Sequence, residues 1–152
     1  MSSHEYKIHD LMIEDLTVAD EKLTDLIKEI ADLYLKNDRA WVIGFSGGKD
    51  STVILSLIFQ ALTTLTKRQL NKNVYVVCSD TLVETPVVVG LVREVLNKVQ
   101  MSANEKGIPL VTQMVVPDTN NTFWSNLLGK GYPAPTKGFR WCTERMKIKP
   151  VT

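Results

Sequence analysis

The stretch Gly44-Phe45-Ser46-Gly47-Gly48-Lys49-Asp50-Ser51-Thr52 sets small residues, two serine hydroxyls and one lysine between two apolar runs. The run before it, Ala40-Trp41-Val42-Ile43, has the length and composition of a buried strand; the run after it, Val53 to Leu62, reads as a buried helix. Strand, small-residue turn and helix start make an anion cradle, because successive N–H groups converge and the helix dipole adds to them. Gly47 and Gly48 permit positive φ and let phosphate oxygens approach the main chain. Ser46 and Ser51 supply hydroxyl donors, and Lys49 a mobile positive charge. A Walker A loop does not fit: with Gly48-Lys49 in register, Ile43 falls at the first glycine and Asp50 at the Mg²⁺-binding hydroxyl.

Two further stretches carry candidate chemistry. Asp80 and Thr81 end the apolar strand Val74-Tyr75-Val76-Val77-Cys78, and ligands of open α/β sheets bind at that strand end. The pair therefore reads either as nucleotide contacts or as a strand-ending turn. Phe139 to Pro150 brings Arg140 and Lys147, suited to anions as a fork and as a point charge. If a helix starts near Thr143, Arg140 and Cys142 stand at its mouth, where a thiolate is favoured. A basic surface helix with Cys142 tucked inside accounts for the spacing equally well.

The elements that must position these residues follow from periodicity. Thr17 is placed to cap a helix, with Asp20 as a capping-box acid, and Val18, Leu23, Leu26, Ile27, Ile30, Leu33 and Tyr34 recur at helical spacing. The loop's own helix runs on to about Leu65, a polar connection follows, and Val74 to Cys78 is the second strand. Strand, crossover helix and strand make a βαβ unit, hence parallel pairing. Pro86 suits the first turn of a third helix that Gly107 ends, and Ile108 to Val116 is a third strand closed by Pro117. Thr122 caps a short helix, and the Gly/Pro-rich Gly129–Gly138 is a long loop of the kind used for binding. The fold class expected is α/β: a doubly wound, mostly parallel, Rossmann-like sheet with helices on both faces. Residues 1–16 are an extension and 17–152 one domain.

Composition sets the outer bounds. With 152 residues, 44% hydrophobic and 23% charged, the chain can bury one core. No apolar run reaches the length of a membrane span, and MSSHEYKIHD is polar and acidic, unlike a signal peptide. Two cysteines cannot make a disulfide framework, so a cytoplasmic location is expected. Net charge is +1, but residues 1–38 carry 4 basic and 10 acidic side chains, whereas residues 129–152 carry 6 and 1. That polarity assigns anionic ligands to the C-terminal segment. Cys78, inside a strand, is expected to act as a small core hydrophobe.

SGGKDS at 46–51 resembles the PP-loop of the adenine-nucleotide α-hydrolases, which grips the pyrophosphate end of ATP while the α–β bond breaks. Together with R-W-C-T-x-x-x-K-x-x-P at 140–150 it is similar to the phosphoadenosine phosphosulfate reductase family within that superfamily. SDTLVETPVV at 79–88, FWSNLLGKGYPAP at 123–135 and FRWCTERMKIKP at 139–150 resemble one branch more closely, the DndC sulfurtransferases and ATP pyrophosphatases of bacterial DNA phosphorothioation.

The resemblance implies an enzyme that uses ATP and Mg²⁺ to adenylate a DNA backbone phosphate, so that sulfur can replace a non-bridging oxygen. Its partners would be DNA, a cysteine desulfurase and the other proteins of the phosphorothioation complex. Ser46, Gly47, Gly48 and Ser51 would hold the pyrophosphate, with Asp80 and Thr81 completing the nucleotide site. Lys49 would neutralise developing charge, and Asp50 would orient the loop or the Mg²⁺ ion. Arg140 and Lys147 would hold the α-phosphate or the acceptor phosphate. Cys142 matches the first cysteine ligand of a 4Fe–4S cluster whose remaining ligands belong to a C-terminal region beyond Thr152. The resemblance thus implies the N-terminal portion of a longer protein, with no intact cluster in this chain. The rival activities are a sulfonucleotide reductase and a catalytically silent, nucleotide-binding assembly module.

Overall fold

A computed structural model describes residues 21–151; the expected helix cap at Thr17 and the 1–16 extension lie outside them. The element order is helix α1 (Glu21–Leu35), strand β1 (Trp41–Gly44), helix α2 (Lys49–Thr63), strand β2 (Val74–Ser79), helix α3 (Pro86–Lys106) and strand β3 (Leu110–Val115). Short helical turns follow at Thr119–Asn121, Ser125–Gly129 and Trp141–Ile148. The strands form one parallel sheet in the order β1-β2-β3, with Ile43 beside Val76 and Val76 beside Thr112. This is a small α/β fold compatible with a Rossmann-like arrangement.

Period-two alternation sorts the sheet into a dry face and a wet one. Ile43, Val74, Val76, Cys78 and Leu110 point one way and are buried. They join Leu55, Phe59 and Leu62 of α2 and Val92, Leu96, Val99 and Ala103 of α3 in one core. Cys78 is therefore a core residue, as its strand position implied. The other face carries Val42 and Val111, 62% and 43% exposed, and half-buried Tyr75 and Val77. Among the described residues, the expected helices on both faces are met on one. Two crossovers that step the same way along a sheet with the same hand put both helices on the same side. Helix α1 adds to that layer, with Ile27 and Ala31 against Ala61 of α2.

Local chemistry sets the ends of α3. Thr85 accepts from the N–H of Val88, Pro86 stands at the first position, and Gly107 at φ 67° takes the left-handed turn that closes it. Helix α1 is fastened to the turn before β2 through Tyr34. Its fully buried hydroxyl donates to the Lys72 carbonyl at 2.7 Å and accepts from the Lys72 N–H at 3.3 Å. Lys72 Nζ lies 4.4 Å from the Tyr34 ring centroid and donates to the Asn37 carbonyl at 2.7 Å. Burial pushes the Tyr34 hydroxyl up in pKa, against the opposing pull of its hydrogen bond to Lys72. Tyr34→Phe leaves both backbone groups of Lys72 without their partner. It should cost about 1–2 kcal/mol, read as a lowered urea midpoint; an unchanged midpoint would show the fastening to be dispensable.

Candidate functional site

The site starts where β1 leaves the sheet. The N–H of Phe45 still donates to the Val77 carbonyl at 2.8 Å, and the chain then turns at Ser46. Gly47 has φ 74°, and a Cβ built on it would lie 2.6 Å from Cγ2 of Val92 on α3. Backbone conformation and packing therefore both demand glycine. Gly48 then enters α2 with extended backbone, and no side chain caps the helix. The first amide donors of α2 lack the usual capping partner, which is the condition for holding an anion.

The two loop serines fix this shape. Ser51 Oγ accepts from the N–H of Ser46 at 3.3 Å, donates to the Gly48 carbonyl at 2.9 Å and lies 3.1 Å from Ser46 Oγ. Thr52 adds a hydroxyl bond of 2.9 Å to the same carbonyl. Lys49 and Asp50 stand exposed on the first turn. One carboxylate beside a phosphate cradle fits Mg²⁺, which takes one or two carboxylates and completes its shell with phosphate oxygens and water.

Across from the loop, Asp80 and Thr81 form a buried turn, 8% and 2% exposed. The Asp80 N–H donates to the Val115 carbonyl, and its Oδ1 accepts from Leu82 N–H at 2.9 Å. Thr81 donates to Glu84 Oε2 twice, from its hydroxyl at 2.6 Å and its amide at 3.2 Å. These bonds hold Leu82 at φ 62°, a left-handed conformation that costs a non-glycine residue about 1–2 kcal/mol. Strain at a strand end facing a binding loop is characteristic of functional turns. Burial opposes ionisation of Glu84, yet hydrogen bonds from the Thr81 hydroxyl and from the amides of Glu84, Thr81 and Val83 together outweigh it and hold its carboxyl below the usual range. Cys78 is held as a thiol by burial and by the charges of Asp80 and Glu84, with Lys147 opposing. Ser46, Ser79, Asp80, Glu84, Val88 and Val92 line the cleft between loop and turn. Its free volume of about 40 Å³ suits a water molecule rather than a purine.

The C-terminal segment meets this end of the sheet at Ser79, whose Oγ donates to the Lys147 carbonyl at 3.1 Å. Lys147 thus lies beside the strand end, with its side chain exposed. The helical turn begins at Trp141, two residues before Thr143, with Arg140 at its N-cap, and widens from Glu144 to a π-type turn ending at Ile148. Arg140 is therefore the exposed residue just before a single α-turn, and Cys142 is half-buried inside it. Among the described residues neither is joined to the loop by a hydrogen bond or ion pair. No three His, Cys, Asp or Glu side chains converge among them either, so Cys142 does not by itself build a cluster site.

Arg145, which the sequence did not single out, makes the specific contacts in this segment. It donates to Tyr132 Oη at 2.8 Å, Asn121 Oδ1 at 3.1 Å and the fully buried Asn126 Oδ1 at 3.4 Å. Glu84 was missed as well, although Thr81-Leu82-Val83-Glu84 has the T-x-x-E spacing that pairs a hydroxyl with a carboxylate. Thr122 caps as expected, accepting from the N–H of Ser125 at 3.2 Å.

No protein-family model matches this sequence. It is 30% identical over 143 residues to the uncharacterized protein MJ0066 of Methanocaldococcus jannaschii, a match covering 93% of this chain and 25% of that protein. The chain thus spans about a quarter of the length of the curated relative it matches. No described helix is long and apolar enough to cross a membrane.

Two predictions follow from this geometry. Gly47→Ala should weaken binding of inorganic pyrophosphate by about tenfold or more, since Cβ must displace Val92 and alanine resists positive φ. Adding Val92→Ala removes the clash but not the strain, so calorimetry should show partial recovery; no loss in the single variant would show that the loop tolerates a side chain. For Glu84, the folded pKa is lowered, so its stabilising effect is present above its ordinary carboxylate value and disappears as pH falls through the folded one. Glu84→Gln should therefore lower the melting temperature at pH 7, with the deficit shrinking as the pH falls below the ordinary carboxylate value. A deficit that does not change with pH would contradict a role for its ionised form.

Proposed function

We propose that this chain is the nucleotide-binding part of a PP-loop ATP pyrophosphatase that adenylates a DNA backbone phosphate, the activating step of DNA phosphorothioation. The observation that carries the reading is Gly47: a positive φ and a Val92 contact that exclude any side chain, at an uncapped helix start reached directly from a parallel strand. The SGGKDS pattern and the three stretches that resemble the DndC branch supply the rest of the support. We also take the sheet as part of a doubly wound, adenine-nucleotide α-hydrolase-like fold. Parallel sheets are normally covered on both faces, and here Val42 and Val111 lie bare on one.

In this mechanism the amides from Gly47 to Ser51 hold the β- and γ-phosphates, with the hydroxyls of Ser46 and Ser51 beside them. An oxygen of the acceptor phosphate attacks the α-phosphorus, the bond from that phosphorus to the α–β bridging oxygen breaks, and pyrophosphate leaves with the electron pair. Lys49 balances the charge that grows on the leaving group, a largely electrostatic contribution. Mg²⁺, when bound beside Asp50, neutralises phosphate charge. Lys147 lies beside Ser79 at the strand end, on the side from which the acceptor would approach. Arg140 serves the acceptor strand farther out. Asp80 and Thr81 shape the wall opposite the loop. The cleft is too small for adenine, so the base lies across its open mouth. The cysteine desulfurase, the other proteins of the phosphorothioation complex and the 4Fe–4S cluster belong to this reading through the resemblance alone, and no step is routed through them.

ATP labelled at the α-phosphate, incubated with Mg²⁺ and DNA, should release pyrophosphate and leave its label on the DNA as the adenylate or, where water then cleaves that adenylate, in AMP, with Lys49→Ala slower by roughly 100-fold or more. ADP and orthophosphate as products would overturn the assignment.

A further inference from the structure

The C-terminal segment is built around packed aromatic rings, and two further rings, Trp124 and Phe139, reach solvent. Phe123 stacks on Trp141 with ring centroids 5.6 Å apart and planes 24° from parallel. Tyr132 meets Trp141 edge-on at 5.7 Å, and Trp141 Nε1 donates to the Pro133 carbonyl at 3.0 Å. These inner rings are buried or half-buried. Trp124 packs edge-on against Phe123 at 5.2 Å yet remains 57% exposed. Phe139, two residues before Trp141, is 46% exposed and held by a pair of backbone bonds with Thr136. Trp124 is thus mounted on an ordered aromatic base and Phe139 on a backbone-bonded turn, and both rings still present themselves to water.

Positive charge surrounds them. Lys137 and Arg140 flank Phe139 on either side and are exposed. Lys130 and Arg145 converge on one neutral acceptor, Asn126 Oδ1, at 3.3 and 3.4 Å. Asp118 lies near Lys130, and Glu144 is the one acidic residue in 129–152, so cations prevail. Exposed rings interleaved with cations match a nucleic-acid strand, whose bases stack on the rings while its phosphates meet the lysines and arginines. A duplex would use only the charges, because its base faces are already stacked on one another. The Ser79–Lys147 bond ties the same segment to the strand end whose cleft Ser46 of the loop also lines.

We infer that the patch around Trp124 and Phe139 binds single-stranded nucleic acid, stacking unpaired bases on the two rings and pairing Lys137 and Arg140 with the intervening phosphates. The inference deepens the reading above: it takes a nucleic-acid acceptor from it and assigns that acceptor's strandedness.

The test uses the 152-residue chain and fluorescence anisotropy of labelled dT12, a duplex of the same length and anionic lipid vesicles, across a salt series. The parent should bind dT12 more tightly than the duplex. Trp124→Ala and Phe139→Ala should each weaken dT12 binding by about tenfold and leave duplex binding unchanged; Trp124→Phe should retain most of the affinity. Circular dichroism of the variants should match the parent, since both rings are half in solvent. Equal dT12 affinity in both alanine variants, duplex binding at least as tight as dT12, or vesicle binding without dT12 binding would each overturn the inference. ATP turnover on the same preparation separates it from the proposed activity. Binding of dT12 without pyrophosphate release from ATP sinks the pyrophosphatase alone, and pyrophosphate release without dT12 binding sinks the stacking patch alone.

Discussion

The contact between Gly47 and Val92 is the constraint on which the rest of the site depends. Helix α3 can lie close over the end of β2 only if the loop after β1 has no side chain there; a single Cβ would stand 2.6 Å from the valine methyl. In return, the packed helix holds the loop in its left-handed turn, and the turn delivers the start of α2 uncapped. The core below is what makes the contact stiff: Val92 belongs to the cluster that joins α2, α3 and all three strands. Sheet packing, loop geometry and anion-holding capacity are thus one arrangement.

A second constraint faces the first across the cleft. The turn from Asp80 to Glu84 stores strain at Leu82 and holds it with three hydrogen bonds to two carboxylates. Burial first, and those carboxylates after it, raise the pKa of the Cys78 thiol beneath them, which favours its neutral form inside the core. A wall so acidic would repel a polyphosphate at close range. In the proposed reading, the phosphates of a bound nucleotide would lie on the glycine side of the cleft, with the acidic turn setting their limit.

Much of this was legible in the sequence, for identifiable reasons. The three strands and three long helices follow from apolar runs punctuated by residues with fixed conformational meaning, Pro86 and Gly107 above all, and the observed bounds of α3 fall at those two residues. The loop was legible because glycine, serine and lysine at that spacing have few other uses between a strand and a helix. Beyond Pro117 the signal weakens, since single turns carry no periodicity. The helix expected near Thr143 starts two residues before it, at Trp141, and Arg145 is fixed by Tyr132, Asn121 and Asn126, all distant in sequence. Nor did periodicity reveal that α2 and α3 share a face, because an apolar strand reads alike whether one or both of its faces are covered.

The central claim is that the main chain from Gly47 to Ser51 holds the phosphate chain of a nucleotide. The most direct measurement is amide chemical-shift mapping of the ¹⁵N-labelled chain titrated with inorganic pyrophosphate. The account predicts saturable shifts largest at Gly47, Gly48, Lys49, Asp50 and Ser51, with AMP giving smaller changes at the same amides. Shifts confined to the basic C-terminal segment, with those five amides unmoved, would contradict it.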